Sequence, residues 1–245
     1  MKRIRVFAGP NGSGKSTMVN HIIEKGYKQF GYALINPDRH INPDDLNLTD
    51  VLDFSKFGLT VDEYSFRDYM LHSPFFKKCN ISIRDILLNN NCFHIPNKNS
   101  YIGSMLADYL RDCYVDSEEK LFSFETVLSH PSKIDFLKSA KDKGWQVYLY
   151  FVNTADPYIN SDRVKDRVSK GGHNVPPDKI RDRYTRSLEN LYPVLQHCRR
   201  AYIFDNTKNI HLIAEKDPDG ILKLHVNIIP AWLYDNVLSK CRISV

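Results

Sequence analysis

The sequence predicts an α/β fold: a mostly parallel sheet between two helix layers, with a helical lid and an inserted cap. Three observations carry that expectation. A short apolar run at 3–8 feeds a glycine-rich stretch at 9–17 and then a helix-spaced apolar pattern. Residues 145–152 form a long, nearly continuous apolar run, as in a parallel strand covered on both faces. Strand-like and helix-like stretches alternate over much of the chain.

Composition sets the frame for these elements. The 245 residues are 42% hydrophobic and 26% charged, ordinary for a folded domain, which excludes disorder as the main state. No apolar run approaches the ~20 residues of a membrane helix. Met1-Lys2-Arg3-Ile4-Arg5 lacks the long apolar stretch of a signal peptide, so the cytoplasm is the expected compartment and no membrane partner is expected. The five cysteines are scattered without a C-x-x-C pair, which points to reduced thiols. His72, Cys79, Cys92 and His94 match no zinc spacing. One domain over 1–245 is expected, with an insertion at about 41–100 and a lid at about 157–178.

The first strand, 3–8, runs into Gly9-Pro10-Asn11-Gly12-Ser13-Gly14-Lys15-Ser16-Thr17, a complete G-x-x-x-x-G-K-S pattern. A helix follows, with Met18, Val19, Ile22 and Ile23 as its apolar face. Strand, glycine loop and helix are the context this motif requires. The glycines let backbone N–H groups converge on a phosphate chain, and the helix N-terminus adds partial positive charge. Lys15 is placed to reach the β- and γ-phosphates, and the Ser16 hydroxyl to ligate Mg²⁺. ATP with Mg²⁺ is therefore the expected cofactor pair, and this P-loop defines the NTPase fold class. There is no L-S-G-G-Q or N-K-x-D stretch, and no apolar run ending in Asp-Glu. That leaves small kinases ahead of transporters, GTPases and motors.

Tyr32–Ile35 reads as a second strand ending at Asn36-Pro37-Asp38-Arg39. Functional groups of open α/β sheets gather at such ends. Asp38 there either orients an acceptor hydroxyl or caps a following helix. In the insertion, Thr60-x-x-Glu63 reads as a capping box for a helix carrying Tyr64, Tyr69 and Met70. Turns at 89–91 and 96–99 flank a short strand, 92–95, and a helix over 101–113 returns to the core. This segment either selects the acceptor, docks a partner or serves as a structural cap.

Leu121–Phe124 reads as a strand ending in Glu125-Thr126-Val127-Leu128-Ser129. Glu125 and Thr126 either hold a sugar hydroxyl or magnesium-bound water, or end the strand with a helix cap. A helix over 132–143 precedes the strand at 145–152. In the lid helix from Pro157, Arg163 and Arg167 stand at i, i+4 and face one way, beside a Val164–Val168 stripe. Such a pair suits charge stabilisation of a transferring phosphoryl group. Gly171-Gly172 stops the helix, and a second runs from Asp178 to about residue 197. Residues 161–186 hold eight Lys/Arg and four Asp. Lys165, Lys170, Lys179 and Arg186 read as solvated charges. No stacking-aromatic module accompanies them, which speaks against a nucleic-acid partner. A hairpin around 217–220 and a terminal helix over 230–240 complete the chain.

Together these stretches resemble the zeta-toxin-like P-loop kinases, in particular the branch described as predicted ABC-type ATPases. The resemblance is carried by Ala8–Thr17, Ile35-Asn36-Pro37-Asp38 and Phe124-Glu125-Thr126-Val127-Leu128-Ser129. It continues through Arg163-Val164-x-x-Arg167-Val168-x-x-Gly171-Gly172-His173-x-Val175-Pro176, Arg183-Tyr184-x-Arg186-Ser187-Leu188-x-Asn190-Leu191 and Phe204-Asp205-Asn206. It implies phosphorylation of UDP-N-acetylglucosamine on its sugar, with Asp38 as base and Glu125 and Thr126 at the acceptor. It also implies Arg163 or Arg167 as a lid arginine, Asn206 in the loop bordering adenine, and an antitoxin protein as partner. The family's further lid arginine falls about where this chain has Gly171-Gly172-His173. Many members carry Asp-x-Asp where Asn36-Pro37-Asp38 stands here. Asn36 and His173 thus join the candidate acceptor residues. A nucleic-acid-end kinase and a non-catalytic nucleotide-binding protein are the alternative functions.

Overall fold

Ile4, Val6, Phe7 and Ala8 are all buried, and the strand they form, β1 (Lys2–Ala8), sits inside a parallel sheet. The computed structural model of the protein describes residues 1–25, 37–172 and 174–241. The strand expected at 32–35, Asn36 and His173 lie outside them. The chain divides into two compact units, one of Met1–Ile35 with Ser123–Val245 and one of Asn36–Phe122.

In chain order, β1 leads to α1 (Lys15–Lys25). The second unit contributes β2 (His40–Ile41), α2 (Pro43–Leu48), β3 (Val51–Asp53), α3 (Glu63–His72) and α4 (Phe76–Cys79). It continues with β4 (Leu88–Asn89), β5 (Cys92–His94) and α5 (Ser100–Asp116). The first unit resumes through β6 (Leu121–Thr126), α6 (Ser132–Asp142), β7 (Trp145–Asn153), α7 (Pro157–Ser169), α8 (Pro177–Glu189) and α9 (Leu191–Leu195). It ends with β8 (Arg200–Asp205), β9 (His211–Lys216), β10 (Leu222–Leu224) and α10 (Ala231–Asn236).

The first unit orders its strands β10-β9-β8-β7-β1-β6. The pairs β1–β7 and β7–β8 are parallel, while β9 and β10 form an antiparallel edge. Successive side chains of β7 point to opposite faces. Tyr150 and Val152 join Phe7, Met18, Val19, Ile22 and Phe204 under α1. Phe151, between them in sequence, meets Trp232 of α10 with ring centroids 6.3 Å apart. Helices therefore cover both faces, as the apolar run at 145–152 predicts. Ile23 departs from the expected apolar face of α1: it is 38% exposed. Val168 is likewise exposed while Val164 is buried, so the lid stripe narrows to one residue.

The helix expected from Asp178 to about 197 starts at Pro177 and breaks at Asn190 into α8 and α9. The Asn190 side-chain amide donates to the Leu128 carbonyl at 2.9 Å, a tertiary bond the local pattern does not encode.

The second unit has its own sheet, β3-β5-β4, all antiparallel. Asn90 and Asn91 take left-handed φ values of 50° and 62°, as a two-residue hairpin turn between β4 and β5 requires. The core behind it is aromatic: Phe66 packs edge-on against Phe54, Phe93 and Tyr109 at centroid distances of 5.0–5.4 Å. The cap of α3 is Asp62, whose carboxylate accepts from the Ser65 N–H at 2.8 Å, not the expected Thr60.

Candidate active site

The loop after β1 is held from three directions within the first unit. The Gly9 N–H donates to the Thr126 carbonyl of β6 at 3.2 Å. The Asn160 amide of α7 donates to the Asn11 carbonyl at 2.7 Å, and its own oxygen accepts from the Thr154 hydroxyl. The Asn206 amide, just past β8, donates to the Ser13 carbonyl at 2.8 Å. Glycine is required where these partners press in. A Cβ on Gly12 would lie 2.4 Å from the Asn160 carbonyl oxygen, and one on Gly14 would lie 2.4 Å from the Asn206 amide nitrogen. Both glycines also have φ in the left-handed range, at 76° and 104°.

Lys15 opens α1 and folds its ammonium back over the loop, donating to the Gly9 and Pro10 carbonyls at 2.9 and 3.0 Å. Ser16, next in the helix, donates its hydroxyl to the Glu125 carboxylate at 2.8 Å. Glu125 is 4% exposed, at the end of β6. A serine hydroxyl and a carboxylate side by side form an all-oxygen donor pair. Mg²⁺ prefers such ligands and takes only one or two protein groups beside phosphates and water. The residues therefore fit a nucleotide-bound Mg²⁺. No group of three or more His, Cys, Asp or Glu suited to a metal occurs among the described residues.

Thr126 is buried, its hydroxyl accepting from the Leu128 N–H at 3.1 Å, which braces the strand end. Arg163 donates through Nη2 to the Asn206 and Thr207 carbonyls at 2.8 and 3.3 Å. It thereby ties α7 to the loop that holds Ser13. The stem of Arg167 packs over Gly172, where a Cβ would meet its Cγ at 2.5 Å. Lys165 pairs with Asp162 and Arg186 with Asp182, the solvated pairs the sequence predicts. Asp38 belongs to the second unit, exposed in the 3-10 turn Pro37–Arg39. The cap of the following helix α2 is Asn42, which accepts from the Asp44 N–H.

Sequence reasoning missed Asn153, Thr154, Asn160 and Arg183. Asn153 and Tyr184 form a buried pair at 3.3 Å, and Tyr184 donates to the Thr154 carbonyl at 2.7 Å. Arg183 donates to the Asn11 side-chain oxygen at 3.4 Å. The only signals were the Arg183-Tyr184 stretch and the place of Asn153 and Thr154 at the end of β7; nothing in the α7 pattern marked Asn160.

A strand-loop-helix with this glycine geometry, a lysine on the loop and a serine–carboxylate pair defines a P-loop nucleotide-binding fold. Residues 112–217 match the family model for zeta toxin, and the zeta-toxin-like resemblance holds over that stretch, which includes β6 through β8. An uncharacterized protein of Haemophilus influenzae is 38% identical over 63 residues, covering 26% of this chain and 45% of that protein. The crystal structure of AvrRxo1-ORF1:AvrRxo1-ORF2 with sulphate ions is similar at a TM-score of 0.57 and 14% identity, as is that of AvrRxo1-ORF1:-ORF2 with ATP. Each of these two covers 96% of this chain and 63% of the neighbour's, and the likeness shows the fold. The chain thus spans less than two thirds of each of these relatives. No helix among the described residues is long and apolar enough to cross a membrane.

Proposed function

We propose that the protein is an ATP- and Mg²⁺-dependent kinase that phosphorylates a hydroxyl of a nucleotide-activated amino sugar, UDP-N-acetylglucosamine. The observation that carries the ATP and Mg²⁺ part of this reading is the Ser16–Glu125 pair at 2.8 Å beside Lys15 on the glycine loop; the acceptor rests on the family resemblance alone. When bound, Mg²⁺ would neutralise charge on the β- and γ-phosphates; Ser16 and Glu125 are the residues that would hold it, directly or through water. Lys15 exchanges its loop carbonyls for phosphate oxygens. The backbone N–H groups of 12–16 donate to the phosphate oxygens at the positive end of α1. The acceptor hydroxyl oxygen forms a bond to the γ-phosphorus as the bond to the ADP oxygen breaks. Asp38 takes the hydroxyl proton. Its assignment rests on its place after Asn36-Pro37 and on the family resemblance, as do those of Asn36, Thr126 and His173 toward the acceptor and of Asn206 toward adenine.

Arg163 and Arg167 supply positive charge on α7, with Arg163 also securing the 206–207 loop. The free cysteines among the described residues suit a reducing compartment, and the cytoplasm is part of this reading. So is a neutralising partner protein: AvrRxo1-ORF1 was crystallised together with a second protein. The test is mass-spectrometric detection of phosphorylated product from UDP-N-acetylglucosamine and Mg·ATP. Wild type yields product, and Asp38→Asn lowers the rate about 10²–10⁴-fold while still binding ATP. Full turnover by Asp38→Asn removes that residue from the base role.

A further inference from the structure

We infer that Arg183, on α8, is the side chain that meets the terminal phosphate of the bound nucleoside triphosphate. The inference rests on the P-loop reading above and adds a residue outside the glycine motif and outside α7. The geometry begins with Lys15, whose ammonium lies against the Gly9 and Pro10 carbonyls. Lys15 serves the β/γ end of the phosphate chain in P-loop proteins, so Gly9–Asn11 borders that end. Arg183 arrives there from α8, its guanidinium 3.4 Å from the Asn11 side-chain oxygen.

Three features fit a phosphate contact. The first is charge. Arg186 pairs with Asp182 and Lys165 with Asp162, while Arg163 bonds two backbone carbonyls through Nη2 alone. Arg183 has only the long bond to a neutral amide oxygen, with no acidic partner among the described residues. A guanidinium has five N–H donors in a fork that matches phosphate oxygens. The second is placement. Tyr184, the next residue, is buried, and its hydroxyl donates to the Thr154 carbonyl at the end of β7. That bond, with the Asn153 amide at 3.3 Å, fixes the register of α8 and therefore the direction of Arg183. The third is exposure: Arg183 is half-buried, neither locked in the core nor extended into solvent.

The test compares binding of Mg·ADP with that of a non-hydrolysable Mg·ATP analogue by calorimetry, in wild type, Arg183→Gln and Arg183→Lys. Arg183→Gln keeps a polar stem that can still bond Asn11, which guards against misfolding; a thermal melt of each variant confirms the fold. In Arg183→Gln the triphosphate analogue weakens about 10- to 100-fold while ADP stays within about threefold, and Arg183→Lys recovers part of the loss. Equal weakening of both nucleotides marks a structural role and overturns the inference. Unchanged affinity for both overturns it as well. If wild type binds neither nucleotide, the P-loop reading itself fails and takes this inference with it.

Discussion

The two units bury different chemistry. Beside an apolar core that includes Phe7, Tyr150 and Phe204, the first buries amides and hydroxyls around its glycine loop: Asn11, Ser13, Asn153, Thr154 and Asn160 are all below 9% exposed, and most are bonded to one another or to loop carbonyls. The second unit centres on rings, with Phe54, Phe66, Phe93 and Tyr109 in edge-on contact. Packed rings tolerate small shifts; a hydrogen-bonded amide does not, because a buried group that loses its partner retains its full desolvation penalty. The contrast assigns positioning of the glycine loop to the first unit and stable packing to the core of the second.

The sharpest way to break that contrast is to exchange the effects. Phe66→Ala empties the centre of the ring cluster and lowers stability by about 3–5 kcal/mol in denaturant unfolding. Nucleotide affinity of the folded fraction stays as in wild type. A comparable fall in affinity would show that the ring core also shapes the loop. Asn160→Ala leaves the Asn11 carbonyl and the Thr154 hydroxyl without their amide. Unfolding should register about 1–3 kcal/mol, and nucleotide affinity should fall with it, since the loop loses a staple. Affinity equal to wild type would remove Asn160 from the positioning set.

A smaller effect separates thiols within the molecule. Burial pushes the Cys198 thiol up to about 12, so at pH 8 it stays protonated and sheltered. Mass mapping after alkylation of the native protein should find Cys92, half-buried, modified well before Cys198. Early modification of Cys198 would mean that the β8 end of the first unit opens far more readily than its packing implies.

The sequence made the loop legible because its geometry is local: positive-φ glycines, the lysine and the serine fall within a few residues of one another. The central strand and the hairpins were readable for the same reason. The staples were not. Asn160 and Asn11 are 149 residues apart, and nothing in the spacing around Asn160 marks it for a loop carbonyl. Arg163 was visible as one of an arginine pair, but its backbone partners at 206–207 come from the sheet order, which brings the end of β8 next to β7. The break at Asn190 follows the same rule. Where a side chain finds its partner through the fold, periodicity gives the element and not its end.

The central claim is that the glycine loop of the first unit binds nucleoside triphosphate through Lys15. The most direct measurement is calorimetric titration of wild type and Lys15→Ala with Mg·ATP. The account predicts saturable binding at one site in wild type, weakened at least about tenfold in Lys15→Ala with the melting temperature little changed. Binding that is absent from wild type, or equal in the two proteins, would contradict it.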